Sequence, residues 1–416
     1  MRNLDRLEVP EAVRRIAERL ERSGYATWTV GGAVRDALLG VSRSDWDLAT
    51  AARPETVRKL FSPSYPIGIQ FGTVGVRGAD GRVYEVTTFR RDIETDGRHA
   101  VVEYADEIEE DLARRDFTVN AIAYHPLREQ YLDPFAGRDD LRSGTLRCVG
   151  DASQRFAEDY LRVLRGLRFA GRYGLQIEAA TREALEAAVP RLPRLSGERV
   201  REELLKVLAA PRPSPSLGLY RESGALTVIA PELAGVAKDA WTCQLRAIDY
   251  LPASRWMLRL ALLLAPAGPG IETLLRRLRF SNAETRVVTA LVRALDLRLP
   301  VATDVVGARR WLSEVTPAHG RDVLRLHVAR RRGEPSGAKD GKDLADRVRR
   351  ILEVMRRHDP VTLSDLAIDG NDIQAALGLR TGPEVGRLLQ RCLEAVVENP
   401  ELNQRDDLLA MLSETD

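Results

Sequence analysis

The 416 residues carry 63 Lys and Arg against 61 Asp and Glu, a net charge of +2 at pH 7, with 44% hydrophobic and 30% charged residues. That balance describes a folded chain of about two to four domains and argues against both disorder and a globally basic nucleic-acid binder. No apolar run approaches the ~18 residues of a membrane span, and three scattered cysteines, Cys148, Cys243 and Cys392, give neither a disulfide framework nor, with five histidines, a zinc spacing.

The N-terminal MRNLDRLEVPEAVRRIAERL is amphipathic and carries acids, which suits neither a secretory nor a transit signal; a cytoplasmic location is expected. Residues 10 to 23 show a helical period. ATWTV reads as a short strand before Gly31-Gly32, and AVRDALL as a short helix. DWDLAT, FGTVGVRGADGRVYEVTTF and FTVNAIAY read as strands, the second with a hairpin turn at Ala79-Asp80-Gly81. Together they predict one small, mostly antiparallel sheet flanked by helices. After residue 150 the strand signals stop, and apolar residues recur every three or four positions. MLRLALLLAPA, interrupted by Arg259 and ended by Pro266, is a buried helix on this reading. PRPSPS (211 to 216) marks a boundary between helical units, and residues 330 to 343 read as an exposed loop.

Asp45 and Asp47 are the first candidates for chemistry. On a strand, positions i and i+2 share a face, and two carboxylates side by side repel unless a cation relieves them; Mg²⁺ favours such hard oxygens together with water and phosphate. Upstream, Gly31 and Gly32 at a strand-to-helix junction let backbone approach a phosphate at the helix N-terminus. Arg35 offers a fork to phosphate oxygens, and Asp36 orients a neighbouring group. Glu85 supplies a third carboxylate if its strand neighbours DWD. Taken singly, each has a plainer reading: a surface DxD, an ordinary glycine turn, an exposed strand residue. Neither a P-loop nor a GxGxxG fingerprint is present.

GGAVRD, DWDLAT, EVTTF, DLARRDFTVNAIAY, LDPFAGRDDL, RFAEDYLRVLRGLRF and ERVREELLKVL occur in the order found in class II tRNA nucleotidyltransferases. The chain resembles these CCA-adding enzymes and the related bacterial poly(A) polymerases, of the polymerase-β-like nucleotidyltransferase superfamily. The likeness is dense over roughly the first 210 residues and resumes in LAIDGNDIQAALGLRTGPEVGRLL. It implies an α+β fold: a small mixed-sheet head (1–147), then an elongated all-helical neck (148–212), body (213–330) and tail (331–416). It also implies that Asp45 and Asp47 bind Mg²⁺, with Glu85 as third acid. Arg115 and Asp116 would lie at the triphosphate and ribose, and Asn120 would support them; a turn or strand-end hydrogen bond is its plainer role. Arg114 would be part of the basic surface.

In EDYLR, Asp159 and Arg162 are three apart, which places them on one helix face. The resemblance makes them the base-reading pair. Arg162 donates to cytosine N3 and O2 or adenine N1, Asp159 accepts from the exocyclic amino group, and uracil and guanine present the opposite pattern. Glu158 and Arg165 would hold that pair, with Arg165 also within reach of phosphate. Gly166, where the family usually has Ala, would loosen the helix by about 0.5–1 kcal/mol.

The expected activity is addition of CCA to tRNA from CTP and ATP. Residues 90 to 111, with Asp96, Gly97 and Arg98, resemble the longer form of the loop tied to the switch from C to A, so CC-only or A-only addition is the nearest alternative. The acidic end QRDDLLAMLSETD disfavours a poly(A) polymerase, and the intact carboxylates disfavour a silent tRNA-binding protein. One His358-Asp359 dipeptide cannot complete an HD-type phosphohydrolase site. Candidate tRNA contacts are RRLRF (276 to 280) and Arg330 to Arg332, each of which has an ordinary solvated arginine cluster as its plainer reading, and the helix start at Gly382-Pro383. No protein partner is implied.

Overall fold

The computed structural model describes residues 6–41, 45–95, 100–335 and 341–413. Asp96, Gly97 and Arg98 therefore lie outside the described residues. Two compact units emerge, Met1–Val207 with Pro215–Pro231, and Leu208–Ser214 with Glu232–Asp416.

The first unit opens with α1 (Glu11–Arg22), β1 (Thr27–Val30), α2 (Gly32–Leu38), β2 (Asp47–Thr50), α3 (Pro54–Leu60), β3 (Ser64–Gly68), β4 (Thr73–Arg77) and β5 (Val83–Thr88). Then come β6 (Arg90–Thr95), β7 (Ala100–Tyr104), α4 (Ile108–Ala113), β8 (Ala123–His125), β9 (Gln130–Leu132) and α5 (Gly137–Ser143). Seven strands form one mixed sheet in the order β3-β4-β5-β2-β1-β8-β9. β2 and β5 run parallel; the other pairings in this sheet are antiparallel.

The apolar stripe of α1, with Val13, Ile16 and Leu20 at helical spacing, packs with Val57 of α3 on one sheet face, against Leu48, Val74, Val76, Tyr84 and Val86. On the other face Val30, Ala49 and Ala123 are covered by Ile108 and Leu112 of α4. β5 alternates exposed and buried residues, so the side of it bearing Val83 and Glu85 faces out.

Two local expectations change. The strand begins at Asp47, and Asp45 precedes it, exposed. FTVNAIAY is not a strand throughout. Thr118–Asn120 form a 3₁₀ turn because the Asn120 amide donates to the Phe117 carbonyl and the Asn120 side chain to Asp116, at 2.9 and 2.8 Å. These local side-chain and backbone bonds outcompete the β-propensity of the segment.

Helices follow: α6 (Ala152–Glu158), α7 (Leu161–Tyr173), α8 (Ala179–Ala188) and α9 (Gly197–Leu208). RFAEDYLRVLRGLRF is thus not one helix, and Asp159 and Arg162 do not share a helix face. Asp159 is extended (φ −155°, ψ 105°). Its Oδ1 accepts from the Leu161 amide and its carbonyl from the Arg162 amide, both at 3.0 Å, which starts α7 as a new helix. Gly166 is a close approach rather than a loosening: a Cβ there would lie 2.9 Å from Cζ of Phe117.

The second unit is helical. Trp256–Leu264 is buried along most of its length, as expected of its apolar run, and is separated from Ile271–Arg277 by a 3₁₀ segment, Ala265–Gly270. Arg259 lies in the core and donates to the carbonyls of Leu208, Ala210, Pro211 and Leu251. Near the C-terminus Ile368, Ile373, Val385, Cys392, Val396, Leu408 and Leu412 form a further core. There Gly382-Pro383 starts Pro383–Glu398, as their order suggests.

Candidate active site

The carboxylates sit where β2 and β5 meet. The parallel register aligns Leu48 with Val86, so one residue earlier Asp47 stands beside Glu85, both on the sheet face opposite Leu48 and Val86. Burial, then the Glu85 carboxylate, with Asp45 adding and Arg115 opposing, push the Asp47 carboxyl up to about 6. Such crowding of like charge is what a divalent cation relieves. Among the described residues no three His, Cys, Asp or Glu close into a ready-made cage. The register sets Asp47 and Glu85 side by side, and Asp45 stands just ahead of the strand, exposed and close enough to act on the Asp47 carboxyl. An open pair of carboxylates still suits Mg²⁺, which keeps waters and takes its remaining ligands from phosphate.

Across β2 from Glu85 lies β1, which ends at the glycine turn. Gly31 adopts φ 69°, ψ −128°, a conformation open in practice to glycine alone. A Cβ would lie 2.6 Å from Nη1 of Arg115, so the missing side chain admits that guanidinium. Arg115 also donates to the Asn120 carbonyl at 3.2 Å and to Asp111 at 3.0 Å. Gly32 opens α2. The glycine turn, Arg115 and the carboxylates are thus brought together, a cation and free amides facing two acids across one strand.

Arg35 is placed otherwise than as an exposed phosphate fork. It is buried, 5% exposed, donates to Asn120, to Asp36 and to the Tyr173 hydroxyl, and lies over the rings of Phe169 and Tyr173. The Tyr173 hydroxyl in turn donates to Asp36 at 2.8 Å. Asp36 thus orients its neighbour, as expected, and Arg35 is a joint between α2 and the far end of α7.

Asp116 is buried and accepts from Arg165 (2.7 Å), Asn120 (2.8 Å) and the Phe117 amide (2.9 Å). Burial alone would raise its carboxyl; Arg165 and these hydrogen bonds outweigh it and hold the group below the usual carboxylate range. Asn120 supports Asp116, and Arg165 bonds Asp116 rather than Asp159. Arg114 is not simply surface: it pairs with buried Asp111.

At the start of α7, Arg162 donates to Glu158, to the Arg155 carbonyl and to the Arg114 carbonyl. Glu158 therefore holds Arg162 as expected, and α7 is tied to the segment carrying Arg115 and Asp116. Those three bonds use three of the five guanidinium N–H donors. Asp159 accepts from Arg199 of α9 at 2.7 Å. Arg199, Tyr173 and Asp111 were missed by sequence reasoning. Arg199 and Asp111 lie inside the ERVREELLKVL and DLARRD motifs, whereas nothing in the sequence marked Tyr173.

The chain matches three family models in succession: a poly(A) polymerase head domain over residues 27–147, a probable RNA- and SrmB-binding site of polymerase A over 174–236, and a tRNA nucleotidyltransferase domain 2 over 254–412. It is 34% identical to the CCA-adding enzyme of Geobacillus stearothermophilus, covering 96% of this chain and 95% of that one. It is 33% identical to the CCA-adding enzyme of Leuconostoc mesenteroides, with 94% and 93% covered. Among solved structures it resembles Bacillus stearothermophilus CCA-adding enzyme in complex with CTP, at TM-score 0.76, 31% identity and 98% coverage of both chains. The fold also matches Thermotoga maritima CCA-adding enzyme complexed with tRNA, at TM-score 0.65 and 19% identity, covering 97% of this chain and 95% of that one.

Proposed function

The chain belongs to the CCA-adding tRNA nucleotidyltransferase family, and from that premise we propose that it adds C, C and A to the 3′ end of tRNA from CTP and ATP, without a nucleic-acid template. The observation that carries this reading is the junction at α7. Arg162 bonds the Arg114 carbonyl, one residue before the Arg115 that fills the space at Gly31. These contacts support a reading in which the base-reading group stands next to the phosphate turn, and the phosphate turn next to Asp47.

Asp45 and Asp47, helped by Glu85, would hold Mg²⁺. When bound, it supplies Lewis-acid stabilisation of the attacking hydroxyl and of the departing pyrophosphate. Arg115 and the amides after Gly31 bind the triphosphate. Asp116, held as a carboxylate by Arg165 and Asn120, accepts from the ribose 2′-hydroxyl. Asp159 and Arg162 select C and A: a uracil or guanine would set carbonyl against carboxylate and N–H against guanidinium, and buried mispaired polar groups discriminate by orders of magnitude. The 3′-hydroxyl of tRNA then attacks the α-phosphorus, and pyrophosphate leaves. We keep 1–147 as head, 148–212 as neck, 213–330 as body and 331–416 as tail, with tRNA phosphates held by the helical part and a cytoplasmic site of action.

The test is extension of three tRNA transcripts, ending at the discriminator base, after one C and after CC, with CTP, ATP and Mg²⁺. Completion of all three to CCA followed by arrest is expected. Arrest at CC, extension of the CC-ended RNA alone, or a ladder of A would each replace this reading by the corresponding activity. Asp47→Ala should abolish extension and leave tRNA binding intact; activity in that variant refutes the assignment of the carboxylates.

A further inference from the structure

The outward face of β5 continues past Glu85 into an apolar patch that the functions assigned above leave unused. Among the described residues, nine large hydrophobic side chains are exposed, and three of them, Ile67, Phe71 and Val83, gather here. Val83 lies on the same face of β5 as Glu85, two positions away. On the neighbouring strand β4, Gly75 is the register partner of Glu85. A Cβ at Gly75 would lie 2.5 Å from Cδ1 of Ile67 and 2.9 Å from Cγ1 of Val83. The glycine thus lets Ile67 fold over the sheet beside the acid, although 51% of Ile67 remains exposed. Beyond it, Thr73 and Thr87 share a hydrogen bond at 3.0 Å on this face. A Cβ at Gly68, the register partner of Thr73, would lie 3.8 Å from the Phe71 ring, which is itself 56% exposed.

Single exposed hydrophobics need no explanation; three on one side of a catalytic carboxylate do. The strand order says what belongs there. The glycine turn, Arg115 and the base-reading end of α7 lie on the β1 side of Asp47, and the apolar patch lies on the β4 side of Glu85. Nucleotidyl transfer needs attacking and leaving oxygens roughly in line through phosphorus. With the nucleoside triphosphate entering from one side, the 3′-hydroxyl must come from the other, and that is the apolar side. We propose that Ile67, Phe71 and Val83 seat the 3′-terminal nucleotide of the growing tRNA, its base lying on Phe71 and Ile67 and its 3′-hydroxyl directed at Asp47 and Glu85. The proposal rests on the activity assigned above and specifies its second substrate site. An apolar surface accepts any base through its π-face, as the enzyme must, because the primer ends successively in the discriminator base, C and C.

The test uses Ile67→Ala, Phe71→Ala and the double variant; both side chains are exposed, so folding should be preserved, which urea midpoints check. Extension is measured on a tRNA ending in C and on the same RNA with an abasic 3′-terminal ribose. The double variant should raise KM for the C-ended tRNA about tenfold, a typical loss for one base-stacking contact, with KM for CTP within about twofold of the parent. On the abasic primer, parent and variant should be equally slow. Unchanged KM for tRNA, or the same further loss on the abasic primer, overturns the seat while leaving the activity standing. A parent enzyme that extends neither RNA overturns the activity and the seat together.

Discussion

Replacing Arg199 by Ala tests the idea that base choice depends on a residue that touches no substrate. Asp159 is held from two sides: Oδ1 by the Leu161 amide and Oδ2 by Arg199 at 2.7 Å. The first bond belongs to the backbone and survives the substitution. The second is charge-assisted, of a kind worth ~1.5–3 kcal/mol, but the two side chains are 31% and 28% exposed, so screening takes the low end, ~1–1.5 kcal/mol. Freed on one side, the carboxylate swings about χ1 and spends part of its time away from the amino group it accepts from in the proposed reading. The expected loss in kcat/KM is therefore about tenfold, for CTP on a tRNA ending at the discriminator base and for ATP on a CC-ended tRNA alike. Because it falls on base reading, discrimination against UTP and GTP should shrink by a similar factor, a readout that general destabilisation would not move. Arg199→Lys, which keeps the charge and loses the fork, should recover part of the loss. If Arg199→Ala keeps both kcat/KM and discrimination within about twofold while Asp159→Ala loses them, the Leu161 amide alone positions Asp159 and the argument is refuted.

Two further outcomes concern stability. Arg168 and Glu203 form a buried pair at 2.6 Å, with Glu203 fully buried and also bonded by Lys206. Glu203→Ala should cost ~3–5 kcal/mol in urea unfolding by stranding the Arg168 charge, whereas replacing both partners by Met and Leu should cost far less; equal costs would disprove the charge argument. Burial pushes the His327 imidazole from 6.5 down to about 4, with Arg330 adding and a bond to Ala294 opposing. Held neutral in the fold, it protonates first in the unfolded chain. Its contribution is complete above pH 6.5 and drains away as pH falls toward 4, by at most ~3 kcal/mol for 2.5 pH units. His327→Gln should remove that part of the loss in unfolding free energy between pH 7.5 and 5; an unchanged pH slope would show that other groups carry it.

Much of this molecule is legible in one dimension because its signals are local. The period of residues 10 to 23 and the alternation in VYEVTT are properties of short segments, and α1 and β5 follow them. The adjacency of Glu85 to Asp47 was a conditional reading, and parallel pairing of β2 with β5 supplied the condition. Motif order pointed to the family because the chemistry constrains residue types at short spacings. What the sequence could not reveal was set by bonds between segments far apart. EDYLR looks like one turn of helix until Asp159 turns its carboxylate to the Leu161 amide and to Arg199, 40 positions on. Arg35 looks like a phosphate ligand until Asn120, Tyr173 and two aromatic rings enclose it. Gly166 looks like a weak point in a helix until Phe117 occupies the space a methyl would need. Propensity and spacing act within a few residues, whereas the partner of a buried charge and the neighbour of a missing Cβ are decided only when distant segments pack.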